Sequence, residues 1–87
     1  MSVGQAERVA DRHEVSQHAR AIRQTLSREG LDNPRVTADG TVVLHSPTPS
    51  LLTLGKVTTQ LRTIVGHHVR VFFDTNPAAA GWETTAL

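Results

Sequence analysis

From Asp11 onward, apolar residues recur with helical spacing. Val15, Ala19, Ile22 and Leu26 fall at i, i+4, i+7 and i+11, one stripe of an amphipathic helix. Asp11 and Glu14 stand in the D-x-x-E relation of a capping box, in which each side chain bonds a free amide of the first turn. Gly30 follows as the residue able to take the left-handed stop conformation. Extended backward, the helix would bring Arg8 and Arg12 close to the apolar stripe. The pattern therefore predicts a helix over 11–29, preceded by a separate arm, 1–10. The period then changes to two. Residues 35–38 and 41–45 flank Asp39-Gly40, a dipeptide suited to a two-residue type I′ turn. Alternation puts Val36, Ala38, Val42 and Leu44 on one face, and Thr37, Thr41, Val43 and His45 on the other.

The cluster Ser46-Pro47-Thr48-Pro49-Ser50 stops the second strand, because proline donates nothing to a ladder, and it offers a capping hydroxyl. A second helix is expected from about 49 to 65. Leu54, Val57, Leu61 and Ile64 form its stripe, with Leu51 and Val65 nearby. Gly55 in its interior costs about 1 kcal/mol relative to Ala, which predicts either a close contact at that point or a kink. Gly66 ends the helix. In Gly66-His67-His68-Val69-Arg70-Val71-Phe72-Phe73, the residues Val69, Val71 and Phe73 alternate with Arg70 and Phe72. That is a strand with one buried face.

The expected fold is a small α+β domain of order α-β-β-α-β over 11–74. It has a three-stranded sheet with two helices packed on one face, and 75–87 forms a C-terminal tail. A parallel pairing of the last strand with a hairpin strand would need the helical crossover that the chain supplies. The other sheet face would show Val43 and Phe72 among Thr37, Thr41, His45 and Arg70, with Trp82 free to fold over it. An apolar, uncovered face is where a partner or the chain's own tail sits.

Size and composition narrow the classes. At 87 residues there is one domain at most. Aromatic residues make up only 3%, so the core must be aliphatic. There is no cysteine, hence no disulfide framework, thiolate metal site or cysteine nucleophile, and a cytoplasmic protein is the simplest reading. No run is long enough to span a bilayer, and the first twelve residues lack a signal-peptide pattern. The formal charge of +1, with signs interspersed, gives no strong field toward nucleic acid or anionic lipid.

No G-x-S-x-G elbow, H-E-x-x-H, P-loop or G-x-G-x-x-G occurs, and the acids Asp32, Asp39 and Asp74 are scattered. No catalytic residue, cofactor, metal or small-molecule substrate is expected. Neighbours on a strand point to opposite faces, so one ion cannot easily take both His67 and His68. A site would need His45 or Asp74 as well. The pair reads as a helix-to-strand junction in which one histidine caps the second helix.

The stretch 40–74 resembles the KH-like N-terminal interaction domain of bacterial replication initiators, and also the small helicase-loading proteins with a KH-like domain. Pro47, Leu51, Leu61 and the strand from Gly66 to Phe73 carry the likeness. Where the initiators place aromatic residues in the two helices, this chain has Ile22 and Val57. Gly55 and Gly66 stand too far apart for the G-x-x-G loop of RNA-binding KH domains. The resemblance implies replication or mobile-element proteins as partners.

Two functions from different classes follow. The first is a non-catalytic protein–protein adaptor that binds another protein or a second copy of itself. It would use Val43, His45, Arg70, Phe72 and Trp82, or the exposed side of the second helix. The second is a nucleic-acid-binding module using Arg20, Arg23, Lys56, Arg62 and Arg70, whose binding would weaken steeply with salt. A structural subunit of a phage-like assembly is the third reading.

Overall fold

The computed structural model of the protein describes residues 8–87; residues 1–7 of the expected arm lie outside them. Asp11 caps the first helix as its side chain predicts: it accepts from the Glu14 amide while Glu14 reaches back to the Asp11 amide. The single helix expected over 11–29 is broken in two, α1 (Arg12–Gln17) and α2 (Ala19–Arg28). The break is a tightened turn at His18, whose amide bonds Val15 three residues back, at 3.1 Å. The apolar stripe survives it, with Val15, Ile22 and Leu26 fully buried. Gly30 ends α2 at φ +74. The Leu31 amide donates to the Leu26 carbonyl and the Gly30 amide to that of Ser27, which is the Schellman arrangement.

Strand β1 (Asp32–Thr37) begins three residues earlier than the sequence pattern suggests. It contains a bulge at Asn33-Pro34, with Asn33 at φ +52. The turn into β2 (Val42–His45) also differs from expectation. The Gly40 amide bonds the Thr37 carbonyl, the Thr37 amide bonds Thr41, and Gly40 lies at φ +91. These bonds define a three-residue loop closed by a left-handed glycine, not a two-residue type I′ turn, which would also need positive φ at Asp39. Ala38 consequently moves into the loop and is exposed, whereas Val36, Val42 and Leu44 stay on the inner face.

Helix α3 (Leu51–Val65) is capped by Ser50 and ended by Gly66 at φ +89. Val57 and Leu61 are buried, and Leu54, Ile64 and Val65 pack at the core margin. Leu51, expected near that stripe, is 85% exposed. Neither reason expected for Gly55 holds: nothing lies within 4 Å of an added Cβ, and the helix is continuous. The helix leads into β3 (Val71–Phe73), parallel to β2, with Val42 opposite Val71, Val43 opposite Phe72 and Leu44 opposite Phe73.

The molecule is a small α+β domain, but its sheet has four strands, not three, in the order β3-β2-β1-β4. The fourth, β4 (Thr84–Ala86), comes from the segment expected to be a tail and pairs antiparallel with β1. Proline in an inner strand removes one ladder donor. Leu87 donates to the Pro34 carbonyl, but Pro34 cannot return the bond. The Arg23 guanidinium supplies the missing donor to the Leu87 carbonyl, at 2.9 Å. At the other edge, Arg8–Ala10 lie along His68 through two backbone bonds, and Ala10 is fully buried.

Candidate functional site

The path of the chain from β3 to β4 builds the site. These strands run parallel at opposite edges of the sheet. Residues 74–83 must therefore cross its full width, about 14 Å at three strand spacings, and return to the starting end. The helices occupy the inner face. The strap takes the outer one: Trp82 meets Phe72 with ring centroids 5.2 Å apart and planes at 83°, an edge-to-face geometry favoured by the ring quadrupoles. A single turn of 3₁₀-helix, Pro77–Ala79, capped by Asn76, shapes the crossing.

Register then aligns the outer-face side chains in rows. Phe72, Val43, Arg35 and Ala86 form one row; Arg70 and Thr41, beside Thr37 and Thr84, form the next. Phe73 is core and Phe72 is half-buried beneath Trp82, as the alternation predicts. Beside this aromatic pair lies an open pocket of about 460 Å³, lined by Thr37, Asp39, Thr41, Arg70, Phe72 and Trp82 together with Ala38 and Glu83. Arg70 bonds Asp39 at 3.1 Å. The Thr37 hydroxyl donates to the same carboxylate, which also receives the Thr41 amide. The bonds from Thr37 and then Thr41, outweighing some desolvation, hold the Asp39 carboxyl below its ordinary range, with the Arg70 charge adding to them.

Of the residues expected to bind a partner, Val43, Arg70, Phe72 and Trp82 gather on this face. His45 is on the same side of β2, farther along, where its Nδ1 lies 2.9 Å from Asp74. Glu83 and the threonine pair carry no mark of a site in the sequence. Alternation places both threonines outward, but Glu83 acquires its place only through the strap.

Four residues of the nucleic-acid set lie in the helical layer and the fifth on the sheet. Arg20 and Arg23 sit on α2, Lys56 and Arg62 on α3, and Arg70 on the opposite side of the sheet. Arg23 holds the Leu87 carbonyl, Lys56 lies 3.1 Å from Glu29, and Arg70 is bound to Asp39.

Gly66 is the C-cap residue of α3, as expected. His67 instead approaches Glu14, at 3.6 Å, where Arg8 makes a two-pronged bond of 2.7 and 2.8 Å. Desolvation works to raise the Glu14 carboxyl, but the Asp11 amide and Arg8 together hold it below its ordinary value. Among the described residues, no three of His, Asp and Glu gather as metal ligands would. On α3, Leu51 and Leu52 form a second exposed apolar spot, each 85% exposed.

Comparison with known proteins returns no match to a family model, a curated protein or a solved structure.

Proposed function

We propose that the chain is a non-catalytic adaptor that docks another protein on the outer face of its sheet. The carrying observation is the open pocket beside the Trp82–Phe72 pair, on the face that no helix of the described residues covers. Exposed aromatic surface with a polar rim is the usual composition of a protein-binding patch. Support for a non-catalytic role comes from the sequence, which carries no G-x-S-x-G, H-E-x-x-H, P-loop or G-x-G-x-x-G pattern. Among the described residues no helix is long and apolar enough to cross a membrane. We place the adaptor in the cytoplasm, among replication or mobile-element proteins, on the strength of the KH-like resemblance and the absence of cysteine.

Ala38 offers a test because it is exposed and lines the pocket. Partners captured by the parent are compared with those held by Ala38→Arg, which blocks the pocket, and by Leu52→Glu on α3. Loss with Ala38→Arg alone, with unchanged melting, is the expected result. Loss with Leu52→Glu alone would move the docking surface to the helix and refute the outer-face reading.

A further inference from the structure

We infer that the outer-face pocket is assembled by a latch: residues 75–87 seat on the sheet and lift from it as one unit, and the pocket exists only while β4 is seated. The inference rests on the docking reading above and adds the control of that site. None of residues 75–87 is buried. Trp82 meets Phe72, and Leu87 packs at the margin of the core. A segment held by such surface contacts opens at a lower free energy than the core it lies on. Asp74 stays behind, because its amide is bonded to Leu44 and its carboxylate to His45, both on β2.

The side chains that clasp β4 come from three elements. Arg12 of α1 bonds the Thr85 hydroxyl at 3.1 Å, and Arg23 of α2 bonds the Leu87 carbonyl at 2.9 Å. Arg35 of β1 bonds Thr84 twice, at its hydroxyl (2.7 Å) and its carbonyl (2.9 Å). All these acceptors are neutral, so water can replace each clasp without stranding a charge. Trp82 and Glu83 line the pocket and immediately precede Thr84. At about 3.3 Å per residue, β4 cannot lift far without drawing the Trp82 ring away from Phe72. Arg12 and Arg23 line no part of that pocket and are positioning residues for it.

Hydrogen exchange on the full chain reads the seating first. Arg12→Gln and Arg23→Gln should each speed exchange of the Leu87 amide about fivefold, the effect of losing one such bond, and leave the Val42 amide unchanged. Acceleration by Arg23→Gln alone would show that the ends of β4 move separately and would overturn the latch. The chain has no cysteine and one Trp, which permits a second test. Arg35 and Ala86 stand opposite each other across the β1–β4 ladder, at a Cα spacing of about 5 Å that a disulfide can span. Arg35→Cys and Ala86→Cys are combined with Arg12→Gln and Arg23→Gln, so that one disulfide replaces all three clasps. In the reduced protein, acrylamide should quench Trp82 fluorescence more strongly than in the parent, with helical circular dichroism kept, and the partners captured by the parent should be lost. Oxidation should restore both. Parent-like quenching in the reduced protein would overturn the inference. Quenching that follows the disulfide while partner capture does not would uphold the latch and refute the outer-face docking reading instead.

Discussion

The two faces of the sheet are closed by different means. The inner face is buried and almost wholly aliphatic, with Phe73 as its one ring. Val15, Ile22, Leu26, Val42, Leu44, Val57, Leu61 and Val69 are essentially fully buried beneath three helices. The outer face is closed by a strap of irregular chain and one aromatic contact, with the Arg70–Asp39 ion pair and the His45–Asp74 contact at its margins. Packing density and burial carry most of the stability of a small domain. The inner face should therefore hold the fold, leaving the outer face free to adapt to a partner. The contrast also separates residues that stabilise the fold from residues that recognise a partner.

The inner side should break hardest at the joint between the β1–β2 turn and α1. A Cβ on Gly40 would lie 2.6–2.8 Å from backbone atoms of Ala10, Asp11 and Arg12, and the residue also has positive φ. Backbone cannot yield there as a side chain could. Gly40→Ala should cost about 4 kcal/mol or more and leave the domain largely unfolded by circular dichroism. A variant that melts near the parent would show that the turn is not pinned against α1. Next in size, Leu61→Ala should cost about 2–5 kcal/mol in denaturant unfolding, the usual range for a buried leucine.

On the outer face the same kind of truncation should cost less. Trp82→Ala removes a partly exposed ring and an aromatic pair, a loss of about 1–2 kcal/mol. If Trp82→Ala cost as much as Leu61→Ala, the contrast between the faces would fail.

That difference also explains what the sequence discloses. The inner stripes are local periodicities, 3.6 along the helices and 2 along β3, so Ile22, Leu26, Val57, Leu61, Val71 and Phe73 are legible from spacing alone. The outward placement of Phe72 follows from the same alternation. The fourth strand is not legible. Thr84-Thr85-Ala86 has no apolar alternation, and its pairing with β1 depends on closure across the sheet, some fifty residues back along the chain. The hairpin loop departs from expectation because Asp39-Gly40 suits two turn geometries. The bonds of Thr37 with Asp39 and Thr41 accompany the longer one. The strap likewise explains why Glu83 and Trp82 share a pocket with Arg70, a conjunction no local pattern encodes.

The smallest expected effect lies outside both faces. Gly55 is exposed, and an added Cβ meets nothing. Gly55→Ala should therefore stabilise the domain by about 0.5–1 kcal/mol, read as a modest rise in melting temperature. A loss of stability would reveal a helix geometry at Gly55 that alanine does not accept.

Native-state hydrogen exchange tests the central contrast most directly, because it reads both closures in one molecule. The Val42 and Asp74 amides, bonded to Arg70 and Leu44 between β2 and β3, should exchange only on global unfolding. The Leu87 amide, bonded to Pro34 beside β4, should open at a lower free energy and lose nearly all protection in Trp82→Ala. Equal opening free energies for the two groups, unaltered in rank by Trp82→Ala, would contradict the account: the strap would then be part of the core and not an adaptable surface.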